Sequence, residues 1–325
     1  MKSKNIFTTD KKDTKEKFIK ISLFLSATIS IFITFGILYA IIFEAIRFFD
    51  MQSFWYFITG TQWSTEAAFL EGAGRVEDAS GVATAQFGSI PLFAGTFMIT
   101  FIAMLVAVPI GLFAAIYLSQ YASTKTRSIF KPMLEILAGI PTVVYGFFAA
   151  ITVSPLIVKI ANYFGMDASF NNALAPGIVM GIMIIPVISS LSDDVISSVP
   201  RSMEEGSLAL GMTKAETIKN IILPSALPGI IAAILLGISK ALGETMIVVM
   251  AAGLRPNLTW NPLEDLTTVT VIIVDALVGD QAFDSALTLS AFALGLVLFF
   301  VTLLINIASV YLIKRFKEKY KVSNL

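Results

Sequence analysis

Long runs of apolar residues separated by short polar segments make up most of the chain after residue 20. A helix that crosses a bilayer needs roughly 20 mainly apolar residues. Five uncharged runs reach that length, and another is interrupted only by Lys240 and Glu244. The pattern therefore predicts an all-α integral membrane protein with six membrane-spanning helices. The predicted spans are Ile21–Phe43, Ile90–Leu118, Ile136–Val158, Ala168–Ser192, Leu227–Ala251 and Ala286–Ile313.

Basic residues are concentrated in alternate polar segments. If both termini are cytoplasmic, 18 of the 23 Lys and Arg residues lie inside, and only Lys240 falls within a span. The four left outside are Arg47, Arg75, Lys159 and Arg255. Cytoplasmic segments carry an excess of Lys and Arg, so this orientation is expected. It divides the chain into a cytoplasmic segment 1–20, a six-helix membrane domain 21–315 and a cytoplasmic tail 316–325.

Three segments then lie outside the membrane, at about 44–88, 159–170 and 253–285. They are too short to form an independent folded domain. The first and third are polar, contain glycine and are acidic in places. They could offer a docking surface to an extracytoplasmic partner, and solvated connectors are an equally good interpretation.

The composition agrees with a membrane protein and excludes several kinds of chemistry. The chain is 56% hydrophobic and 14% charged, with a mean hydropathy of +0.82 and a net charge of zero. The absence of cysteine and histidine excludes disulfides, Cys or His metal sites and Ser-His-Asp catalysis. No basic patch suggests nucleic-acid binding. No G-x-x-x-x-G-K-[ST] loop is present, so any ATP hydrolysis would belong to another chain.

The polar segment at about 193–225 reads as two short helices. Ser198 can cap the first helix, and Pro200 suits its opening turn. Gly211 stands where a helix would end in a left-handed residue, which glycine adopts without steric cost. This spacing predicts a helix that ends at a glycine turn.

The second short helix has its own start and stop signals. Thr213 and Glu216 form a capping box at its start, and Pro224 separates it from the next span. A rigid pair of helices of this kind suits the transmission of a partner's motion into the membrane. On these helix signals alone, an ordinary interfacial helical hairpin fits about as well.

Lys240 and Glu244 stand near the middle of the fifth apolar run. At a spacing of four residues, they should share one helix face. Each charge costs about 2.5–3.5 kcal/mol at the bilayer centre, so both should face the bundle interior or a water-filled path. Two interpretations stay open, a site on a substrate path and a structural ion pair. Asn306, in the last span, is best explained as a hydrogen-bonding group between helices.

Four stretches of the sequence resemble one known family. They are FGSIPLFAGTFMIT (Phe87–Thr100), EILAGIPTVVYGFFA (Glu135–Ala149), PRSMEEGSLALGMTKAETIKNIILPSALPGI (Pro200–Ile230) and GISKALGETMIVVMAAG (Gly237–Gly253). Together they look like the permease of the phosphate-specific ABC importer. The ALGETM run favours its C-type subunit (PstC) over the A-type subunit. The resemblance covers roughly residues 20–315.

The resemblance implies a type I ABC importer permease (MetI-like) fold in the cell inner membrane. It implies a heterodimer with an A-type permease, two copies of a cytoplasmic ATPase and an extracytoplasmic phosphate-binding protein. It also implies that the loop from Glu205 to Pro224 docks onto the ATPase, and that Lys240 and Glu244 match a basic–acidic pair implicated in phosphate passage. The residues of the docking frame are Glu205, Gly206, Ser207, Gly211, Ile221, Leu223 and Pro224.

The sequence departs from the family pattern at two places. The docking frame reads Glu-Gly-Ser where family members often have Glu-Ala-Ala. The basic member of the pair, Lys240, is usually arginine. Lysine keeps the charge but loses the planar fork that binds phosphate through two parallel hydrogen bonds.

The expected function is inward transport of inorganic phosphate by alternating access, driven by partner ATPases, with no cofactor or catalysis of its own. An importer of another oxyanion or small solute is the main alternative, because the docking loop addresses the ATPase and not the substrate. An intramembrane enzyme is disfavoured, since Glu244 is the lone acid well within a span. An ion-coupled carrier is disfavoured because no inverted repeat is evident.

Overall fold

A computed structural model describes residues 10–65, 85–278 and 282–319. Within these ranges, six helices are long and apolar enough to cross a membrane. They are Glu16–Met51, Ile90–Tyr121, Thr142–Tyr163, Leu174–Ser197, Lys214–Leu242 and Ala286–Arg315. The prediction of six spans is confirmed. The terminal lysines Lys2, Lys4 and Lys321 lie outside the described residues.

The secondary structure is almost entirely helical. The helices are α1 (Asp10–Met51), α2 (Phe54–Thr59), α3 (Ile90–Ile116), α4 (Thr124–Ala138), α5 (Thr142–Phe148), α6 (Ser154–Tyr163), α7 (Leu174–Ser197), α8 (Arg201–Ala209), α9 (Lys214–Thr217), α10 (Leu223–Leu242), α11 (Met246–Ala251), α12 (Val269–Leu277) and α13 (Ala286–Lys319). A two-stranded antiparallel ribbon joins β1 (Trp63–Ser64) to β2 (Gln86–Phe87).

The centre of the bundle is the packing of α3 against α7. A Cβ atom added to Gly181 would lie 2.8 Å from the Ala103 carbonyl oxygen, and one added to Gly177 would lie 2.6 Å from Ile102. Small residues allow membrane helices to approach this closely, where van der Waals contact replaces the hydrophobic drive of a soluble core. These two glycines therefore fix the separation of α3 and α7.

Wide helical turns, in which an N–H bonds the carbonyl five residues earlier, interrupt two of the membrane helices just before a proline. Residues Ala149–Val153 join α5 to α6 in this way, and Ile218–Ile222 join α9 to α10. A proline inside a regular helix lacks an N–H and clashes with the carbonyl four residues earlier, and a wide turn relieves both problems. The helix Lys214–Leu242 is therefore continuous through Pro224, and the prediction that Pro224 separates two helices is wrong.

Two span boundaries were also predicted wrongly. The third span begins at Thr142 rather than Ile136, because Pro141 adopts an extended conformation (φ −58°, ψ 138°) and the preceding residues end α4. A proline also disfavours helix at the residue before it. The fourth span begins at Leu174 rather than Ala168. Asn172 accepts the Ala175 N–H through Oδ1 at 2.9 Å, which satisfies a free donor of the first turn.

The described part of segment 44–88 is a packed apolar cluster rather than a solvated connector. Phe48, Phe57, Trp63 and Phe87 are buried together, with Phe48 and Phe87 ring centroids 5.3 Å apart at 84°. Edge-to-face contacts of this kind add stability beyond area burial. Residues 66–84, which include Arg75, Glu71, Glu77 and Asp78, lie outside the described residues.

The third outer segment also returns into the bundle. The Ser169 N–H donates to the Leu263 carbonyl at 2.9 Å, and the Ala173 N–H donates to the Glu264 carbonyl at 3.2 Å. After this contact, α12 is buried through Val269 and Val271. The segment predicted to be polar thus contains a polar loop that is followed directly by a buried apolar helix. Asp280 lies outside the described residues.

Candidate functional site

Between α7 and the apolar part of the fifth membrane helix, the chain forms the predicted pair of short helices, α8 and α9. Gly211 has φ +88°, a left-handed conformation that favours glycine. Its N–H donates to the Leu208 carbonyl at 2.9 Å, and the Met212 N–H donates to the Ser207 carbonyl at 3.2 Å. The predicted glycine turn at the end of α8 is confirmed.

The start of α8 differs from the prediction. Ser198 ends α7, where its Oγ donates to the Val195 carbonyl at 2.7 Å. Pro200 is the residue that precedes α8, in an extended conformation with φ −58° and ψ 131°. A proline excludes helix at the residue before it, so the chain leaves α7 at Val199 before α8 can begin. The prediction that Ser198 caps α8 is wrong.

The capping box at the start of α9 is confirmed. The Thr213 N–H donates to Glu216 Oε2 at 2.8 Å, and the Glu216 N–H donates to Thr213 Oγ1 at 3.4 Å. Hydrogen bonds from the Thr213 backbone and hydroxyl lower the pKa of the Glu216 carboxyl below its ordinary value. The carboxylate thus stays charged and satisfies donors that the helix start would otherwise leave free.

Ser207 joins the two short helices to each other. Its Oγ lies 2.8 Å from Thr217 Oγ1 and 2.8 Å from the Glu204 carbonyl oxygen. Ser207 is 5% exposed and Thr217 is 1% exposed, so this contact is internal. Ser207 was among the predicted docking residues, whereas Thr217 was not. In the sequence, Thr217 is marked only as a small polar residue next to an apolar run.

The other residues of the predicted docking frame divide by exposure. Glu205, Gly206 and Gly211 are exposed, whereas Ile221, Leu223 and Pro224 are half-buried. Beside them, Ile218 and Ile222 pack into a separate apolar cluster with Ala115, Ile196, Ala226 and Ile230. The loop therefore has an exposed tip on a buried apolar base.

Leu210 is a further candidate for this surface. It lies at the end of α8 and is 86% exposed. Leu208 beside it is 44% exposed, so the two leucines form a small apolar patch, which is typical of a contact surface. The sequence signal was a leucine directly before the turn glycine.

An ion-pair cluster fixes α4 to the end of α7, next to the docking loop. Arg127 lies 2.8 Å and Lys131 lies 3.3 Å from Asp193 Oδ2, and Lys131 also lies 2.5 Å from Asp194 Oδ1. The Asp193 side chain is 1% exposed. The hydrogen bond to Asp194, with smaller contributions from Asp193, raises the pKa of Lys131. Buried carboxylates need such partners, and no local sequence pattern reveals them.

The fifth apolar run is broken in its middle. The helix α10 ends at Leu242, and α11 begins at Met246. Lys240 and Glu244 therefore do not share the face of one continuous helix, and that prediction is wrong. Within the part of the chain that the structure describes, no ion pair joins them.

The Glu244 carboxylate instead caps the second half of the run. Its Oε1 accepts the Met246 N–H at 3.1 Å and the Ile247 N–H at 3.4 Å. A carboxylate that binds nearby backbone donors competes with the regular helix, and Gly243 beside it adds little resistance to a break. Lys240 is left half-buried on the last turn of α10, at the edge of the break.

Two further contacts hold the broken helix. Thr270 Oγ1 donates to the Glu244 backbone carbonyl at 2.8 Å. Ser239 Oγ donates to Asn306 Oδ1 at 3.1 Å, which gives Asn306 the predicted role between helices. Among the described residues, no group of three or more acidic side chains is placed to hold a metal ion.

Half-helices that meet inside a membrane span expose backbone groups and are typical of substrate sites in transporters. Here the break places an ammonium group and a carboxylate beside backbone groups that are bonded by side chains instead of helix partners. The arrangement can attract an anion to Lys240 while Glu244 stays anchored through its cap.

Comparison with known proteins relates this chain to membrane components of transport systems. Residues 107–318 match the family model described as "Binding-protein-dependent transport system inner membrane component". YqgH of Bacillus subtilis, a probable ABC transporter permease protein, is 34% identical over 232 residues, which cover 71% of this chain and 74% of YqgH. The phosphate transport system permease protein PstC 1 of Mycobacterium tuberculosis is 33% identical over 286 residues, which cover 80% and 82% of the two chains.

Solved structures share the fold. A chain of a bacterial ABC transporter involved in the import of the acidic polysaccharide alginate has a TM-score of 0.62 at 15% identity, and the match covers 94% of this chain and 98% of that one. The MetNI methionine ABC transporter gives a TM-score of 0.50 at 19% identity, over 70% and 94% of the two chains. At these identities the likeness concerns the fold alone.

The six membrane helices and the helical hairpin between α7 and α10 agree with the family match. The chain belongs to the family of binding-protein-dependent transport system inner membrane components and is an ABC importer permease subunit of MetI-like fold. The predicted resemblance to the C-type permeases is confirmed. Such subunits are transport components that work with an ATPase and a substrate-binding protein.

Proposed function

We propose that this chain is the C-type permease subunit of an importer of inorganic phosphate. The observation that carries the proposal is the broken fifth helix, because Lys240 and Glu244 lie at the break in a helix proposed to cross the membrane. Relatives named as phosphate transport permeases, at 33% identity over 80% of the chain, support the choice of substrate.

Selectivity follows from hydrogen-bonding chemistry at the break. Phosphate near neutral pH carries a proton, so it can pair with the Lys240 ammonium and donate a hydrogen bond to the Glu244 carboxylate. Sulfate has no proton to donate and would face the carboxylate as a like charge. The two side chains thus act as a transient relay for a protonated oxyanion.

Energy enters through the docking loop. The exposed tip at Glu205, Gly206 and Gly211 contacts the ATPase, and the buried base at Ile218 and Ile222 passes its motion to the bundle. The continuous helix from Lys214 to Leu242 then connects the loop to the break, so that ATP-driven motion produces alternating access.

The assembly proposed is a heterodimer with an A-type permease, two ATPase copies and an extracytoplasmic phosphate-binding protein. Both termini are cytoplasmic, with residues 1–20 and 316–325 flanking the membrane domain 21–315. The distribution of Lys and Arg supports this orientation.

A second candidate, an importer of another oxyanion, is favoured by one feature. Lys240 stands where the resemblance implies arginine, and lysine lacks the fork that fits phosphate bidentately. The same broken helix would then serve an anion with weaker geometric demands.

The deciding experiment uses the native complex, purified with its partners and reconstituted in liposomes with its binding protein. Uptake and stimulated ATP hydrolysis are measured with phosphate, sulfate and molybdate. Stimulation by phosphate alone supports the proposal. Stimulation by a different oxyanion, with phosphate inert, supports the second candidate.

A further inference from the structure

A break inside a membrane helix leaves backbone carbonyls without their helical partners. In a low-dielectric environment each unpaired group is costly, so such groups find another donor. At the break in the fifth span, the Glu244 carbonyl receives the Thr270 hydroxyl at 2.8 Å. The donor belongs to α12, 26 residues along the chain.

Thr270 is itself held in place. It is 8% exposed, and its Oγ1 lies 3.1 Å from the hydroxyl of Thr268. On the same segment, the Val269 N–H donates to Thr96 Oγ1 of α3 at 3.1 Å. The hydroxyl that reaches Glu244 thus comes from a segment tied to the central helix of the bundle.

That segment packs closely against α3. A Cβ atom added to Gly95 would collide with the Thr267 carbonyl oxygen. The Leu266 N–H also donates to the Ala252 carbonyl at 3.2 Å, just after α11. The segment from Leu266 to Thr270 is therefore fixed between α3 on one side and the second half of the broken helix on the other.

Glu244 is consequently held from two directions. Its carboxylate binds the N–H groups of Met246 and Ile247, and its backbone carbonyl binds Thr270. We infer that Thr270 is a positioning residue for the transport step, one that sets the shape of the break and hence the place of the Glu244 carboxylate. Thr270 acts through Glu244 and not by contact with the substrate. This inference rests on the proposed function only in placing Glu244 on the substrate path.

The test compares Thr270→Val with Thr270→Ser in the reconstituted complex. Valine keeps the shape and removes the donor, whereas serine keeps the donor. Thr302→Val is the matched control, because among the described residues the Thr302 hydroxyl binds only the carbonyls of Leu298 and Phe299, in its own helix.

We expect Thr270→Val to lower the maximal uptake rate roughly tenfold, the usual consequence of one lost buried hydrogen bond. The concentration of loaded binding protein at half-maximal uptake should not change, since that protein does not contact the break. Thr270→Ser and Thr302→Val should both stay within about twofold of the parent, because neither loses the donor to Glu244. Uptake by Thr270→Val at the parent rate, or equal losses for the valine and serine variants, would overturn the inference.

A second measurement does not depend on the substrate. The chain has no cysteine, so Gly243→Cys gives a single reporter thiol at the break, where an added Cβ has only ordinary contacts. With Thr270→Val, thiol labelling should be at least about threefold faster, because the break loses a restraint. With Thr270→Ser it should be unchanged.

These two measurements separate the inference from the proposed function. Transport of a different oxyanion and of no phosphate would refute the proposal that phosphate is the substrate. The labelling rates would still decide the role of Thr270. Equal labelling rates for the parent and Thr270→Val would refute the role of Thr270 and leave the phosphate assignment untouched.

Discussion

The hydroxyl groups of Ser207 and Thr217 lie 2.8 Å apart in a buried contact between the two short helices of the docking loop. Only one polar contact of this kind crosses between α8 and α9 in the described residues. This contact therefore ties α8 to α9 beyond the turn that joins them.

Replacing Ser207 with alanine should loosen the loop without unfolding it. One buried hydrogen bond is worth about 1 kcal/mol, and the Thr217 hydroxyl would lose its partner. Hydrogen–deuterium exchange should show faster exchange at residues 213–217 in the variant. The double variant Ser207→Ala with Thr217→Val should cost less than the sum of the two single changes. Additive costs would mean that the contact contributes nothing.

Replacing Gly211 with valine should uncouple ATP hydrolysis from uptake. The left-handed conformation at this residue costs a β-branched side chain roughly 1–2 kcal/mol, so the turn must change shape. Insertion in the membrane should be normal, because the turn is exposed. The readout is the ratio of phosphate transported to ATP hydrolysed in liposomes.

Gly295→Ala provides the control for that change. Gly295 lies inside α13, outside the docking loop, and an added Cβ would meet nothing within 4 Å. Alanine in a helix is favoured over glycine by roughly 0.5–1 kcal/mol, so coupling should be retained. If Gly211→Val also keeps full coupling, the loop is not where the ATPase docks.

The capping box should make the docking loop sensitive to acid. Because hydrogen bonds from Thr213 lower the pKa of Glu216 in the folded loop, its carboxylate stabilises the fold at neutral pH. That stabilisation is fully present above the ordinary carboxyl pKa, and it is lost as the pH falls through the lowered value. Glu216→Gln lacks the charge at every pH.

Thermal unfolding of the purified complex, measured from neutral pH downward, tests this dependence. The parent should unfold at a higher temperature than Glu216→Gln near neutral pH. The difference should shrink as the pH falls below the ordinary carboxyl range. A constant difference across that range would show that the charge of Glu216 plays no part.

Replacing Glu244 with glutamine should impair transport more than assembly. The glutamine side-chain oxygen can still accept the Met246 and Ile247 N–H groups, so the break should persist. The neutral amide removes the charge that accepts a proton-bearing oxyanion. Uptake by purified, fully assembled complexes is the measurement. Parent-level uptake would assign Glu244 a structural role alone.

Features set by neighbouring residues were predicted well from the sequence. The six spans follow from hydropathy, and the turn at Gly211 follows from glycine's freedom to adopt positive φ. The capping box depends on the four residues from Thr213 to Glu216. Each of these is decided within one or two helical turns, so a local pattern is sufficient.

Features set by distant contacts were not predictable in this way. A spacing of four residues made Lys240 and Glu244 look like partners on one face, but the helix breaks because Glu244 binds backbone donors and Thr270 stabilises the exposed carbonyl. The contact between Arg127 and Asp193 spans 66 residues. Pro224 was predicted to be a helix boundary, but the wide turn before it accommodates the proline within a continuous helix.

That wide turn has a geometric consequence for Lys240, 18 residues further on. Residues Ile218–Ile222 contain one residue more than a regular turn would hold, with the Leu223 N–H bonded to the Ile218 carbonyl. At 3.6 residues per turn, one extra residue rotates everything after it by about 100° around the helix axis. The direction in which Lys240 points therefore depends on the helical register of Ile218–Ile222, beside the docking loop. Deleting one of them would rotate Lys240, together with the break that follows it, by about 100° relative to α9.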